Sequence, residues 1–263
     1  MNFLHTYIPQ AIAFSSGPIT IYWYGIIMAI AIALAILLSL HIAKKREIDP
    51  ELIIDAAIWT IVGGLIGARV YEFFLEWNFY SQAPFEIIKI WNGGLAIHGA
   101  LIGGAIALFI FLRRNTKYNI WNIAAVFLPG VALGQAIGRV GNWFNQELFG
   151  RPTNLPWGIP INPFHRLPGF ETFEFFHPTF LYEAKLLIIL VIVLYFFARK
   201  KEFPCAYIAA IYLIGYGVIR FSLEFIKIDP TPIILGLRWP QIVSLGMILL
   251  GLGIIIKTRK ARS

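Results

Sequence analysis

The residues best suited to chemistry in this chain cluster between Gly138 and Gly150. This stretch, Gly-Arg-Val-Gly-Asn-Trp-Phe-Asn-Gln-Glu-Leu-Phe-Gly, follows the apolar run 120–137. An arginine guanidinium carries a planar fork of donors that matches phosphate oxygens, and ionisable groups at the end of a membrane segment are costly enough to indicate function. A lone Arg-Asn pair would be explained as well by a polar helix cap, but this density of polar residues is not. We therefore predict an anion-binding site formed by Arg139, Asn142, Asn145 and Glu147.

A second ionisable pair lies in a later apolar run. Arg220 and Glu224 are four positions apart, so they share one face if the run is helical. The pair could bind an anion, or it could be an ion pair that only satisfies itself between helices. The two residues alone favour neither interpretation.

Three further segments carry residues suited to proton transfer or polar contacts. His98 begins an apolar run; an imidazole suits proton transfer near neutral pH, although a lone histidine in such a run is more often a helix contact. The motif His-Pro-Thr-Phe-Leu-Tyr-Glu contains His177, Tyr182 and Glu183 and could also be a helix start with an aromatic anchor. Tyr24 could likewise be an interface packing residue.

The elements that must position these residues are membrane spans. The chain has 263 residues, 58% of them hydrophobic and 14% charged, and its mean hydropathy is +0.71. A span needs about 20 apolar residues. The sequence therefore predicts an all-α polytopic membrane protein, with one integral membrane domain over residues 1–263 and seven transmembrane helices, at about 19–43, 52–75, 95–112, 120–137, 179–198, 204–225 and 239–256.

The basic residues predict the topology. Clusters of lysine and arginine follow the first, third, fifth and seventh runs, so with seven spans they all fall on one side, which the positive-inside rule makes cytoplasmic. The N-terminus is then outside and the C-terminus inside, with no basic region of a signal peptide near the start. All candidate residues fall towards the outer side. The proline-rich and aromatic segment at about 139–178 predicts an ordered extracytoplasmic cap between spans four and five.

Several function classes are excluded by composition and motif. Most of the net charge of +8 lies in the four cytoplasmic clusters, so it does not indicate nucleic-acid binding. One cysteine excludes an intrachain disulfide, and the chain has no His-x-x-x-His, Gly-x-Ser-x-Gly, P-loop or dinucleotide motif. We therefore expect no metal and no cofactor. Glycine pairs at 63/67, 99/103 and 134/138 favour close helix packing over the internal repeat of a transporter.

The motif at 138–150 resembles the signature of the prolipoprotein diacylglyceryl transferase family almost throughout. Four shorter motifs resemble other elements of that family in the same order: Tyr24-Gly25, His98-Gly99-Ala100-Leu101-Ile102-Gly103, His177-Pro178-Thr179-Phe180-Leu181-Tyr182-Glu183 and Arg220-Phe221-Ser222-Leu223-Glu224-Phe225. A few positions depart from the family pattern: Ala100 for a glycine, Ala125 for an aspartate, Trp143 for a phenylalanine, and Trp239 and Pro240 ahead of Gln241 and Ser244, which fit. None of the departures removes a residue with a chemical role.

The resemblance implies the first step of bacterial lipoprotein maturation, in the cytoplasmic (inner) membrane. The diacylglyceryl group of phosphatidylglycerol would pass to the thiol of the lipobox cysteine of a preprolipoprotein, which forms a thioether and releases glycerol phosphate. This chemistry needs a base for a thiol with an ordinary pKa of about 8.5, and positive charge where the phosphate leaves.

The resemblance also implies a role for each candidate residue. His98 would be the base or would orient it, while Arg139 and Arg220 would bind the phosphate. Glu147 and Glu224 would position Arg139 and Arg220 respectively. The remaining candidates would bind or orient the substrates: Asn142 and Asn145 at the headgroup, and Tyr24, His177, Tyr182 and Glu183 further away.

Two alternatives of a different class remain at this point. One is another enzyme acting on an anionic lipid headgroup, such as a phospholipase, which would release a different product. The other is a transporter of anionic lipid or small anions, which would need a continuous polar path. The inner halves of the predicted spans carry almost no ionisable groups, which argues against such a path.

Overall fold

The computed structural model describes residues 3–17, 19–89, 93–115 and 117–261. Within these residues, seven helices are long and apolar enough to cross a membrane, which confirms the predicted all-α polytopic class and the number of spans. They are α2 (Trp23–Lys45), α3 (Pro50–Leu75), α5 (Ile97–Arg114), α6 (Ile120–Phe144), α7 (Thr179–Ala198), α8 (Cys205–Leu223) and α9 (Trp239–Lys260).

The shorter elements lie between these spans. The chain begins with α1 (Phe3–Thr6), and α4 (Trp77–Tyr80) and a 3₁₀ helix (Pro84–Ile88) follow α3. Among the residues that the structure describes, three antiparallel strand pairs form: β1 (Ile12–Ser16) with β2 (Ile19–Tyr22), β3 (Ile159–Pro160) with β4 (Phe175–Phe176), and β5 (Ile233–Ile234) with β6 (Leu237–Arg238).

Most helix ends differ from the sequence-based prediction by a few residues, and two of these differences have a clear structural reason. The first span begins at Trp23 because Ile19–Tyr22 pairs with β1 as a strand instead of starting the helix. The fourth span runs on to Phe144, so Arg139 and Asn142 lie three apart on one helical face and not in a loop. The helix therefore delivers both polar groups to the same place.

The chain divides by its contacts into two compact units, and each is described by itself. The unit of residues 47–123 contains α3 and α5, which pack through glycines. A Cβ atom added to Gly67 would lie 2.4 Å from the carbonyl oxygen of Gly99, and one added to Gly103 would lie 2.3 Å from that of Gly63. The glycine pairs in these two helices thus permit close backbone contact, as expected from the small-xxx-small pattern.

The other unit comprises residues 1–46 and 124–263 and contains the remaining five spans. Arg46, which ends α2, joins it to the turn between α7 and α8. Its buried guanidinium donates to the carbonyl oxygens of Ala198 (2.6 Å), Lys200 (3.0 Å) and Phe203 (3.0 Å). Arg46 belongs to the basic cluster that follows the first span and that was used to predict the topology. The structure gives it a packing role as well.

Residues 145–178, between α6 and α7, form a small hydrophobic core together with the start of α7. Its buried members are Phe149, Ile159, Ile161 and Phe176 from this segment and Phe180 from α7. The segment is tied to the chain after α8 by a bridge between Gly150 and Lys227, which brings the residues after α8 beside the start of α7.

Candidate functional site

The centre of the site is the carboxylate of Glu183, in the second turn of α7. Its side chain is 0% exposed, and three cationic groups reach it. Arg139 Nη2 donates to Oε1 at 2.7 Å, while Arg220 Nη1 and Lys227 Nζ both lie 3.2 Å from Oε2. One buried carboxylate therefore joins residues from α6, α7, α8 and the segment after α8.

The backbone around Gly150 explains why these four segments meet. Gly150 N donates to the carbonyl oxygen of His177 (2.8 Å), and Arg151 N donates to that of Ile226 (2.9 Å). A Cβ atom at Gly150 would lie 2.7 Å from a methyl group of Thr179, so only glycine fits here without a shift. The end of the 138–150 motif thus lies between the start of α7 and the end of α8.

A second carboxylate, that of Glu224, holds the far side of Arg220. Its side chain is 2% exposed, and it lies 3.5 Å from Arg220 Nη2 and 3.0 Å from Arg238 Nε. The pairing of Arg220 with Glu224 that the helical spacing predicted is therefore present. Arg238 also donates to Thr231 Oγ1 at 3.0 Å and to the backbone carbonyls of Lys227 and Asp229, so it fixes the chain between α8 and α9.

The expected pairing of Arg139 with Glu147 is wrong, because the carboxylate that Arg139 contacts is that of Glu183. Glu147 instead accepts hydrogen bonds through Oε1 from Asn142 Nδ2 (2.7 Å) and Asn145 Nδ2 (3.3 Å). Asn142 in turn accepts from Arg139 Nη1 at 3.0 Å. Glu147 therefore orients Arg139 only through the amide of Asn142.

Tyr24 lies close to this network through α6. Its ring packs over Gly141, where an added Cβ atom would lie 2.7 Å from the ring. Gly141 belongs to the same part of α6 as Arg139 and Asn142, so the glycine lets an aromatic ring approach this end of the helix closely.

His177 and Tyr182 form a separate pair just before and within α7. His177 Nδ1 lies 3.2 Å from the Tyr182 hydroxyl, which also accepts a hydrogen bond from Trp157 Nε1 (2.8 Å). Burial lowers the pKa of the His177 imidazole because it disfavours the charged form. A neutral His177 at neutral pH suits a hydrogen-bonding role better than a cationic one.

His98 lies in the other unit, in the first turn of α5. Its ring is exposed and lies beside that of Tyr71, with 6.1 Å between the ring centroids. It is thus available to a ligand, which is the property that a proton acceptor needs.

The electrostatics of the Glu183 cluster favour an anion. Arg139, Arg220, Lys227 and Arg238 face the carboxylates of Glu147, Glu183 and Glu224, which leaves one positive charge in excess. The side chains of Arg139 and Arg220 remain 19% exposed. Arg139 Nε is buried with no hydrogen-bond partner among the residues that the structure describes. The arginines therefore keep binding capacity that the protein itself does not use.

The burial of Lys227 gives this cation a different character. Burial lowers the pKa of its ammonium group, and the neighbouring Glu183 opposes that effect by favouring the charged form. Lys227 is therefore a buried cation that neutralises Glu183 at Oε2, the same oxygen that Arg220 contacts.

Sequence reasoning missed Lys227 and Arg238. Neither lies in a motif, and Lys227 meets its partner Glu183 across 44 positions of sequence. The available signal was weak: both are basic residues outside the four clusters that the positive-inside rule explains.

Metal ligands have no comparable arrangement. Across the described part of the chain, no group of three or more His, Cys, Asp or Glu side chains could hold a metal ion. The donors that do converge are guanidinium, ammonium and amide groups, which suit phosphate oxygens.

Comparison with known proteins supports one family. The family model described as prolipoprotein diacylglyceryl transferase matches residues 11–257. Curated proteins named phosphatidylglycerol–prolipoprotein diacylglyceryl transferase are also similar. The chain is 45% identical to that of Synechococcus elongatus over 242 residues, which cover 89% of this chain and 82% of the relative. It is 42% identical to that of Trichormus variabilis over 250 residues (93% and 88%), and 40% identical to that of Fervidobacterium nodosum over 239 residues (90% and 81%).

The match to the family model covers the whole Glu183 cluster and the first six spans, and it ends at residue 257 within the seventh. With a family model that extends over nearly the full length, and relatives at 40% identity or more, the chain belongs to the prolipoprotein diacylglyceryl transferase family.

Proposed function

We propose that this protein transfers the diacylglyceryl group of phosphatidylglycerol to the thiol of the lipobox cysteine of a preprolipoprotein. The sulfur forms a bond to the glycerol carbon that carries the phosphate, and the bond between that carbon and the phosphate oxygen breaks. The electron pair leaves with glycerol phosphate, and the thiol proton passes to a base. The step involves no oxidation or reduction and no cofactor.

The observation that carries this proposal is the shared carboxylate of Glu183. It holds Arg139 and Arg220, from two different spans, by one amino group each, at 2.7 and 3.2 Å. Two guanidinium groups fixed in this way offer their remaining donors to one phosphate. The leaving phosphate gains negative charge in the transition state, so preorganised cations stabilise that state more than the bound lipid.

The amide of Asn142 is the proposed contact for the glycerol headgroup. It lies between Arg139 and Glu147 in a chain of hydrogen bonds, so its orientation is fixed before substrate arrives. Asn145, Tyr24, His177, Tyr182 and Glu183 complete the proposed substrate-binding set. Glu183 and Glu224 hold the arginines, while Glu147 holds the asparagines.

His98 is the proposed base. An exposed imidazole in the first turn of a span can accept a proton from a thiol at the membrane surface, and general bases contribute about 10²–10⁴-fold to rate. We expect His98→Gln to lose turnover in that range while it still binds phosphatidylglycerol. Loss of lipid binding with normal turnover per bound lipid would instead assign His98 to the headgroup.

The location we propose is the bacterial cytoplasmic membrane, with the N-terminus outside, the C-terminus in the cytoplasm and the Glu183 cluster towards the outer leaflet. It is supported by the basic clusters at the ends of the first, third, fifth and seventh spans. This orientation puts the cluster on the side where a translocated preprolipoprotein emerges.

One assay tests the reaction as a whole. Purified protein is incubated with phosphatidylglycerol and a lipobox peptide, and the products are identified by mass spectrometry. We expect a thioether-linked diacylglyceryl peptide and glycerol phosphate in equal amounts. The control is the same peptide with serine in place of cysteine, which should remain unmodified. Free fatty acid or phosphatidic acid without a modified peptide would mean that this is a different lipid enzyme.

A further inference from the structure

A second cluster of polar contacts lies around Arg69, in the unit of residues 47–123. Arg69 is buried in the last third of α3. Its guanidinium donates to the backbone carbonyl oxygens of Glu86, Ile87 (2.6 Å), Lys89 (3.3 Å), Gly93 (2.7 Å) and Gly94 (2.9 Å). Its face also lies 5.2 Å from the ring of Tyr80. One charged side chain on a span therefore donates to five carbonyl groups of the connection between α3 and α5.

The height of these contacts along α3 is set by a second, independent bond. Ala96 N donates to the carbonyl oxygen of Ala68 (3.3 Å), so the chain meets α3 at the level of Ala68 just before α5 begins. From Ala68 to the end of α3 at Leu75 is about 10 Å of helix. The chain therefore continues past the end of α3 and then comes back to the level of Ala68 before α5 begins.

This connection exposes several large apolar side chains: Phe85 (80% exposed), Ile88 (67%), Trp77 (53%) and Phe79 (53%). It also exposes the uncharged polar side chains of Asn78, Ser81 and Gln82. The apolar side chains continue the exposed apolar surface of the two spans, which includes Phe74 and Ile97. The charges of Glu86 and Lys89 are paired with each other at 2.5 Å.

We propose that residues 77–89 lie within the bilayer, at the boundary between lipid headgroups and acyl chains, and not in the water above it. Aromatic residues are favoured at this boundary. Irregular backbone at that depth is tolerated only when the protein satisfies its polar groups, since the lipid cannot. The guanidinium of Arg69 does so for three carbonyls of this segment, those of Glu86, Ile87 and Lys89. The ion pair of Glu86 and Lys89 reduces the cost of their charges.

Arg69 acts in this proposal as a positioning residue. Lysine carries the same charge but has one ammonium group, which cannot reach five carbonyls spread over residues 86–94. The burial of the segment therefore depends on the shape of the guanidinium and not only on its charge.

The depth of the segment can be measured with nitroxide labels on single cysteines, in the full-length protein with Cys205→Ser and in phosphatidylglycerol-containing liposomes. Labels at Phe85→Cys and Ile88→Cys are compared with a span control, Leu101→Cys, and a polar surface control, Glu171→Cys. We expect labels at 85 and 88 to be relaxed by oxygen more than by a water-soluble nickel chelate, as at 101. Accessibility to the nickel chelate equal to that at 171 would overturn the proposal.

The role of Arg69 is tested on the same labels. With Arg69→Lys, the label at 85 should become more mobile and more accessible to the nickel chelate, while a label at Ile189→Cys on α7 should not change. Arg113→Lys, an exposed arginine of α5, is the matched control and should leave the label at 85 unaltered. An unchanged label at 85 in Arg69→Lys would contradict the positioning role. If Phe85→Cys does not yield folded protein, Ile88→Cys gives the same readout. None of these measurements needs catalytic activity, so they stand whether or not the proposed transferase reaction is found.

Discussion

Glu183 has an unusual position among the residues of this protein, because three cationic side chains share its buried carboxylate. Removal of one partner of a buried ion pair costs about 3–5 kcal/mol, since the other charge stays buried without compensation. The side chains of Arg139 and Arg220 are partly exposed, so some of their donors are not directed at this carboxylate. Glu183 can therefore hold the arginines in place while an anion binds their other donors.

The fork shape of the two guanidinium groups leads to the first prediction. Arg139 donates through Nη1 and Nη2 to two different residues, Asn142 and Glu183, and one ammonium group cannot make the same two bonds while it also binds a phosphate. A hydrogen bond to a charged group contributes about 1.5–3 kcal/mol. We expect Arg139→Lys and Arg220→Lys each to lower kcat/KM for diacylglyceryl transfer by about 10–150-fold.

The kinetic split shows where the arginines act. A loss in kcat would mean that the bonds strengthen as the leaving phosphate gains charge, whereas a loss in KM alone would mean capture of the ground-state lipid. Arg199→Lys, at the end of α7 in a basic cluster, is the matched control and should retain activity. Near-normal transfer by both site variants would contradict the proposed mechanism.

Lys227 leads to a prediction on pH. Because burial lowers the pKa of its ammonium group, Lys227 loses its charge at a lower pH than an ordinary lysine does. At a pH below that pKa, the charged Lys227 neutralises part of the negative charge of Glu183. At a pH above it, Glu183 competes with the phosphate for Arg139 and Arg220. We expect the affinity for phosphatidylglycerol, measured without peptide, to fall as pH rises through the alkaline range.

Lys227→Arg separates this effect from other titrations. An arginine stays charged throughout this range, so the alkaline loss of lipid affinity should disappear in the variant. Circular dichroism at each pH checks that the variant is folded. An unchanged alkaline loss in folded Lys227→Arg would assign the titration to another group.

The part of the site that sequence could predict is the local part. The bond between Arg220 and Glu224 follows from four-residue spacing on a helix, and the clustering of Arg139, Asn142 and Glu147 follows from their nearness in sequence. The bonds to Glu183 join residues 37 and 44 positions apart, and no periodicity encodes which carboxylate a distant arginine will meet. That is why Arg139 was paired with the wrong glutamate.

At the scale of elements, the closest packing in the protein is that of α3 against α5. The glycines that permit it are matched in antiparallel order, with Gly67 near Gly99 and Gly63 near Gly103. Without a hydrophobic driving force between helices in lipid, such backbone contact is a main source of helix association. The register of α5, and with it the depth of His98, is set by these glycines.

This packing predicts that substitution of a glycine in the α3–α5 contact destabilises the protein more than substitution of a glycine in open space. A Cβ atom at Gly67 would lie 2.4 Å from the Gly99 carbonyl oxygen and 2.7 Å from the Cα atom of Gly103, so the helices must separate. Overpacking of this kind typically costs about 1–3 kcal/mol. We expect Gly67→Ala to lower the thermal unfolding temperature in detergent.

The control for this variant lies on α9. A Cβ atom at Gly253 meets nothing within 4 Å, so Gly253→Ala should leave the unfolding temperature unchanged or raise it slightly. Equal effects of the two substitutions would show that the α3–α5 contact is not tight in the detergent-solubilised protein.

The helix ends show what a hydropathy pattern cannot decide. The polar residues of the 138–150 motif were taken to begin the outer segment, but α6 continues through the first of them to Phe144. Arg139 bonds from this helix to Glu183 of α7, and Asn142 bonds to Glu147 just after the helix. The first span was predicted to begin four residues early for the opposite reason. Ile19–Tyr22 is apolar enough for a span but pairs with β1.

At the scale of the whole chain, the seven spans were predictable because each is a long apolar run ended by charge. The assignment of each span end to the cytoplasmic or the outer side depends on the lysine and arginine clusters. The ordered cap at about 139–178, inferred from prolines and aromatic residues, stays a prediction. The buried cluster around Phe149 and Phe176 could not be predicted, because those residues also fit a membrane surface.

The topology has a direct test. In a Cys205→Ser background, single cysteines at Phe164 and Ile234, which are both exposed, should react in intact cells with a thiol reagent that cannot cross the membrane. A cysteine at Lys201, between α7 and α8, should react only after the cells are opened. Labelling of residue 201 from outside would reverse the assigned orientation and move the Glu183 cluster to the cytoplasmic leaflet.

The separation of Arg139 from Glu183 along the chain also affects biosynthesis. The two residues are 44 positions apart, so at about 5–20 residues per second the ribosome adds Glu183 some seconds after Arg139. The delay is longer for Arg46, because Ala198, whose carbonyl oxygen it contacts, is added 152 positions later. The first span therefore enters the bilayer well before the group that completes the polar contacts of Arg46 exists. A nascent chain that stalls before α7 would hold Arg46 at the membrane boundary with this partner not yet synthesised, which is a feature by which quality control could distinguish it from the finished protein.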